Sequence, residues 1–228
     1  MTMHDLPKHH PGDELLVSYA AGELNEAWSL LIATHIAVCP RCRDRVGTAE
    51  ALGAALLEDV SAGELAVMVD DALERALARA TELSEQHDEI PRTPSIMIKS
   101  APVLPQPLRD YAGGDIDSLK WRRLGSSAYH VPLVAKRGAP TARLLRIPGG
   151  TVVPEHGHNG LELTMVLSGS FTDDGARFAR GDVETADVDV EHQPVAEAGG
   201  DCICLAVTDA PLRFRGPVAR LVQPFIGI

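Results

Sequence analysis

The sequence predicts a multidomain α and β protein, in which an N-terminal helical bundle is joined by a proline-rich linker to a C-terminal all-β domain. Three observations carry this. Apolar residues recur at helical spacing through residues 1–83. Pro91, Pro94, Pro102, Pro105 and Pro107 then break any periodicity across residues 84–107. From 108 to 228, short runs of valine, leucine, isoleucine and tyrosine alternate with turn signals, as in a sandwich or barrel.

Each helix has a stated start and stop. Asp13 can cap a helix over 14–21, whose Leu15, Leu16 and Tyr19 form a short apolar face, and Gly22 supplies the stop. A second helix over 25–38 carries Trp28, Leu31, Ile32, His35 and Val38 with no glycine or proline inside. Pro40 ends it, because the residue before a proline is pushed out of the α region. A proline also suits the first position of a new helix, so a third runs from there to about Glu58. Ser61-Ala-Gly-Glu64 is a capping box for a fourth helix reaching Leu83. Its stripe of Leu65, Met68, Val69, Leu73 and Leu77 exceeds what three short helices can cover, which marks a partner site. In the β region, strands are expected over 119–124, 128–135, 142–147, 161–167, 177–178, 202–207 and 212–214. Gly149-Gly150, Asp173-Asp174-Gly175 and Gly199-Gly200 punctuate them.

Two constellations carry chemistry. His35-Ile-Ala-Val-Cys39-Pro-Arg-Cys42 places three soft-metal ligands where two helices meet, with His35 and Cys39 one turn apart on one face. The cysteines lie at a helix N-terminus, where unpaired N–H groups favour the thiolate that binds zinc. Tetrahedral zinc takes four nitrogen or sulfur ligands, and His9 and His10 both stand ready ahead of the first helix. A thioredoxin-like pair would need a preceding strand, and haem attachment would need histidine where Arg43 stands. Further on, His156 and His158 alternate on a strand and share a face, and Glu162 keeps their parity. Three ligands aimed into one end of a barrel leave positions open on zinc, manganese or iron. Cys202 and Cys204 also share a strand face and are expected to pack inside the barrel. His4, His87 and His130 have no partners in the pattern and are assigned to surface or core.

A formal charge of −11 argues against a protein that grips nucleic acid through phosphates and suits a basic protein partner. No apolar run approaches the roughly 20 residues of a membrane span. The first residues, Met1-Thr2-Met3-His4-Asp5, lack the basic start and apolar core of a secretory signal. The expected location is therefore the cytoplasm, where four cysteines are metal-bound or free rather than bridged.

The pattern G-x5-H-x-H-x3-E-x6-G, matched at every position from Gly150 to Gly169, resembles the first motif of the cupins. That resemblance implies a β-barrel and a further ligand from a later histidine. His192 is the candidate, standing without the proline, glycine and asparagine usual around it. The N-terminal H-x3-C-x2-C with an upstream histidine resembles the zinc-binding anti-sigma domain. Together the two resemble the ChrR family of anti-sigma factors over nearly the full chain. The likeness implies a zinc-binding anti-sigma domain at 1–83, a linker at 84–107 and a cupin-like metal-binding barrel at 108–228. It implies Zn(2+) on His10, His35, Cys39 and Cys42, and a second divalent metal (Zn, Mn or Fe) on His156, His158, Glu162 and His192. It further implies a regulator without catalytic residues, whose helices, residues 1–83 sufficing, wedge into an alternative sigma factor with no direct contact to nucleic acid. The barrel would answer singlet oxygen or organic peroxide. The rival reading is a metal-dependent cupin enzyme, a dioxygenase or isomerase, with an accessory zinc module.

Overall fold

The computed structural model describes residues 6–58, 69–85, 101–125, 128–136 and 138–214. Helix α1 spans Asp13–Ala20 and is capped by Gly12 without a side-chain bond. Asp13 does not serve as the cap, because its carboxylate is taken by Arg45. The turn beyond α1 closes on Gly22 at φ +71°. Helix α2 covers Glu26–Val38, and the Asn25 side chain accepts from the Trp28 N–H at 3.4 Å. Cys39 is extended, as a residue before proline must be, and α3 then runs over Pro40–Glu58. Helix α4 occupies Ala72–Glu85, slightly past the expected end at Leu83. The Ser61–Glu64 capping box, Leu65 and Met68 lie outside the described residues, as do Pro91 and Pro94.

One helix was not expected. Residues 106–112 form α5 (Gln106–Ala112), which enters the stretch assigned wholly to strands. Pro107 sits in its first turn, where no amide donor is required, and Gly113 in the left-handed region ends it. Reading that proline only as a breaker hid the helix.

Among the described residues twelve strands follow: β1 Arg122–Leu124, β2 Ala128–Val134, β3 Thr141–Ile147, β4 His156–His158, β5 Glu162–Ser168, β6 Ser170–Asp173, β7 Ala176–Ala179, β8 Val183–Ala186, β9 Glu191–His192, β10 Val195–Ala196, β11 Cys202–Thr208 and β12 Leu212–Phe214. They form a six-stranded sheet in the order β1-β2-β3-β11-β5-β8 and two smaller sheets, β10-β6-β7 and β12-β4-β9. Among the described residues the barrel is thus three antiparallel sheets rather than one closed ring of ladder bonds.

The long sheet is buried on both faces. Along β11, Cys202 and Cys204 join Val166, Phe171, Phe178 and Ala196 in the barrel interior. Ile203, Leu205 and Val207 point the other way, into a cluster that also holds Leu16, Trp28, Leu31 and Ile32 of the helices. The near-continuous apolar run of β11 follows from this double duty. Helix α2 is apolar all round for the same reason, lying among α1, α5, β3 and β11. By contact, Met1–Ala51 and Pro102–Ile228 form one compact unit and Leu52–Ala101 another. This grouping cuts across the chain-order division at 1–83, 84–107 and 108–228, which remains a proposal about sequence modules.

Asp115 ties the entry to α5. Its carboxylate accepts the Val103 and Leu104 N–H groups, each at 2.9 Å, which seats the buried Leu104 and Leu108. Burial alone would raise its pKa, but the N–H groups of Leu104, Val103 and Ile116 outweigh that and hold it below the ordinary carboxylate range. A carboxyl depressed in the folded state contributes stability above its unfolded pKa and loses it as pH falls through the folded one. Asp115→Ala is therefore expected to lower unfolding free energy by about 1–3 kcal/mol at neutral pH. In urea titrations the gap between wild type and variant should close as the pH is taken below the carboxylate range.

Candidate metal centres

The first centre is built by two turns of helix and one strand of loop. His35 projects from the last turn of α2, Cys39 from the junction, Cys42 from the first turn of α3 and His10 from the segment before α1. The four ligand atoms lie within 4.8 Å of one another. His10 Nδ1 stands 3.5 Å from Cys39 Sγ and 3.4 Å from Cys42 Sγ. Ligands at the zinc–nitrogen and zinc–sulfur distances of a tetrahedral site are separated by about 3.3–3.8 Å, so these spacings suit such an ion.

The protonation states agree with that. The His35 Nδ1–H donates to the Gly181 carbonyl at 3.0 Å, which fixes the tautomer and leaves Nε2 as a bare acceptor. That Nε2 is buried without a hydrogen-bond partner. Burial, then His10, lowers the His35 pKa to about 4, so the ring is neutral. Burial also lowers His10. Cys42 is pushed up to about 12 by burial and then by Cys39, so a buried cation is what would restore its thiolate. His9 is turned elsewhere: its ring lies 4.5 Å from that of Phe178, and its Nδ1 is 3.6 Å from Asp182.

The second centre lies in the small sheet. Strand β4 presents His156 and His158, and its pairing with β9 sets His192 opposite His156. Nε2 of His192 lies 3.1 Å from Nε2 of both His156 and His158. Imidazole nitrogens that meet through their lone pairs are mutually repulsive unless a proton or a cation sits among them. The outer nitrogens are held in place. His156 Nδ1–H donates to the Pro154 carbonyl at 2.8 Å, and His192 Nδ1–H to Asp173 Oδ2 at 2.7 Å. Burial lowers both His156 and His158 to about 4.

Glu162 does not join this convergence. One of its carboxylate oxygens lies 3.7 Å from Nδ1 of His158, the side away from the meeting point, and the other accepts from the Thr164 hydroxyl at 3.1 Å. Strand parity placed it on the correct face but says nothing of its rotamer. Asp173 and Glu184 were missed by sequence reading. With His192 they form a third buried group of close ligand atoms, and Glu184 is pushed up to about 9 by burial and then by Asp173. The usable signal was an acidic residue at an inward position between Val183 and Ala186. His130 sits on β2, outside every cluster among the described residues.

A sheet system with a three-histidine cluster, joined to helices that carry a His/Cys cluster, defines a class of protein with two groupings compatible with metal binding. A family model described as the ChrR cupin-like domain matches residues 110–211. The anti-sigma-E factor ChrR of Cereibacter sphaeroides is 46% identical over 221 residues, which span 97% of this chain and 99% of that protein. The crystal structure of Rhodobacter sphaeroides SigE in complex with the anti-sigma ChrR contains a chain that superposes with TM-score 0.73 at 42% identity. It covers 89% of this chain and 99% of that one. The chain belongs to the ChrR family of anti-sigma factors.

Elemental analysis of the full chain checks the two centres separately. Cys39→Ser and Cys42→Ser should each lose the metal of the helical centre and keep that of the barrel, and His156→Ala the reverse. Retention of both metals in the cysteine variants would remove the first assignment.

Proposed function

We propose that this protein is a cytoplasmic, zinc-dependent anti-sigma factor that binds and occludes an alternative sigma factor. The observation that carries the reading is the near-full-length identity with the anti-sigma-E factor ChrR. His10, His35, Cys39 and Cys42 would hold the ion that shapes residues 1–83, and a small helical module gains folding free energy from such an ion. His156, His158 and His192 would hold the second divalent metal, with Glu162 turning from its place beside His158 Nδ1 to supply the carboxylate of the set. The barrel then governs release under oxidative stress, such as singlet oxygen or organic peroxide.

Two features support a protein partner. Leu52, Leu56 and Leu57 on α3 and Leu73 and Leu77 on α4 are all exposed, an apolar surplus that a lone soluble chain seldom shows. An amphipathic helix with such a face is suited to a partner's groove. The charge of −11 complements the basic surfaces with which a sigma factor meets promoter DNA. No helix among the described residues is long and apolar enough to cross a membrane.

Co-expression with individual sigma factors should yield a soluble one-to-one complex with at least one of them. Failure of every pair to co-purify would favour the enzyme reading, as would substrate turnover or oxygen uptake by the purified protein. Within a confirmed pair, Cys39→Ser should abolish inhibition of transcription. His156→Ala should leave inhibition intact while blunting release on exposure to singlet oxygen. Inhibition by a metal-free Cys39 variant would overturn the role given to the helical centre.

A further inference from the structure

We propose that the β7–β8 turn at Gly181–Asp182 is a positioning element of the His/Cys centre, supplied from the far end of the chain. The inference rests on the metal reading above and adds the residues that aim its ligands.

Two of the four ligands are aimed by this turn. The Gly181 carbonyl accepts from His35 Nδ1 at 3.0 Å, across 146 positions of sequence, so that Nε2 faces the cysteines. Asp182 Oδ1 accepts the Lys8 N–H at 2.5 Å and the His9 N–H at 2.9 Å, and the Val183 N–H donates to the His9 carbonyl at 3.2 Å. These bonds lay the segment carrying His10 along β8, the outer strand of the six-stranded sheet, and cover its free edge. Asp182 is buried, at 4% exposure, and its other oxygen is engaged by the Ala179 N–H at 2.9 Å. It is therefore a fixed acceptor rather than a surface charge.

The turn is shaped for this approach. Gly181 has φ +91°, and a Cβ there would lie 2.6 Å from Cγ of Pro7 and 3.5 Å from Cγ2 of Val38. Only glycine lets the N-terminal segment and the end of α2 come this close. Ligating histidines generally donate their second ring nitrogen to a carbonyl or carboxylate, and such partners tune affinity. Here that partner belongs to the cupin-like domain. Two residues on, Glu184 of β8 places its Oε1 3.9 Å from His192 Nδ1, so the start of β8 lies close to both centres. A cavity of about 380 Å³ is lined by residues of both centres, His10 of the first and His192 of the second, together with His9, Asp173 and Glu184.

The test is cobalt(II) titration of the full chain against a competing chelator. Thiolate ligation gives a sulfur-to-cobalt charge-transfer band that an all-histidine centre cannot give, so the two centres are read apart. Asp182→Ala, which removes both acceptors, and Lys8→Pro, which removes one donor and lies outside every helix and strand, should each weaken metal at the thiolate centre by about 10–100-fold. The cobalt spectrum of the histidine centre should be unchanged. If Asp182→Ala fails to fold, Lys8→Pro decides. Affinity within about threefold of wild type in Lys8→Pro overturns the inference, since the segment carrying His10 would then need no anchor at the turn. A wild-type protein lacking the charge-transfer band would instead bring down the metal reading and this inference with it.

Discussion

Lone pairs gathered inside the protein, away from water, are the constraint that the rest of this structure serves. At one place two imidazoles face two thiols, and at another three imidazoles face each other. An unmade bond to a buried polar group costs about 1–3 kcal/mol, so such groupings persist only where something satisfies them. A cation does so at every atom at once. The outer nitrogens follow the same logic. Gly181, Pro154 and Asp173 each offer an acceptor that places a proton on Nδ1 and leaves Nε2 for the centre. Burial then keeps His35 and His156 neutral, the state in which imidazole ligates.

That constraint explains why the helices and the sheet share a core. A helix of thirteen residues with an apolar surface on all sides has no polar face to give to solvent. Helix α2 satisfies it by lying on the outer face of the six-stranded sheet, with Leu31 and Ile32 fully buried. The docking also brings His35 to Gly181, so packing and ligand orientation are set by one contact surface. The outer residues of β11, Ile203, Leu205 and Val207, are the matching half of it.

Much of this was legible in the sequence, and the remainder was hidden for physical reasons. Helical spacing and Pro40 located α2 and α3 nearly to the residue, because those signals are local, although Asn25, counted in the second helix, is its cap. The choice between His9 and His10 was not local. It depends on Asp182, more than 170 positions away, accepting the backbone N–H groups of Lys8 and His9 so that the second ring meets the thiols. His192 belongs to a strand of two residues, too short for any periodicity, and its place comes only from pairing with β4. Alternation on a strand assigned Glu162 its face, but Thr164 decides where its carboxylate rests.

The two cysteine pairs show how surroundings, rather than residue type, assign a role. Cys39 and Cys42 stand at a helix start beside His10, with Arg41 and Arg45 near enough to favour negative charge. Cys202 and Cys204 sit with sulfurs 3.6 Å apart among Val166, Phe171 and Phe178. The hydrogen bond that the Cys204 thiol gives to Cys202, and then burial, pushes Cys204 well above the ordinary thiol range. Cys42 is pushed up by burial as well, so protonation alone does not separate the two pairs. What separates them is the company they keep: the ligand atoms of His10 and His35 converge on the C-x2-C at the helix junction, whereas among the described residues no third ligand atom joins the C-x-C of β11, which fills the barrel interior.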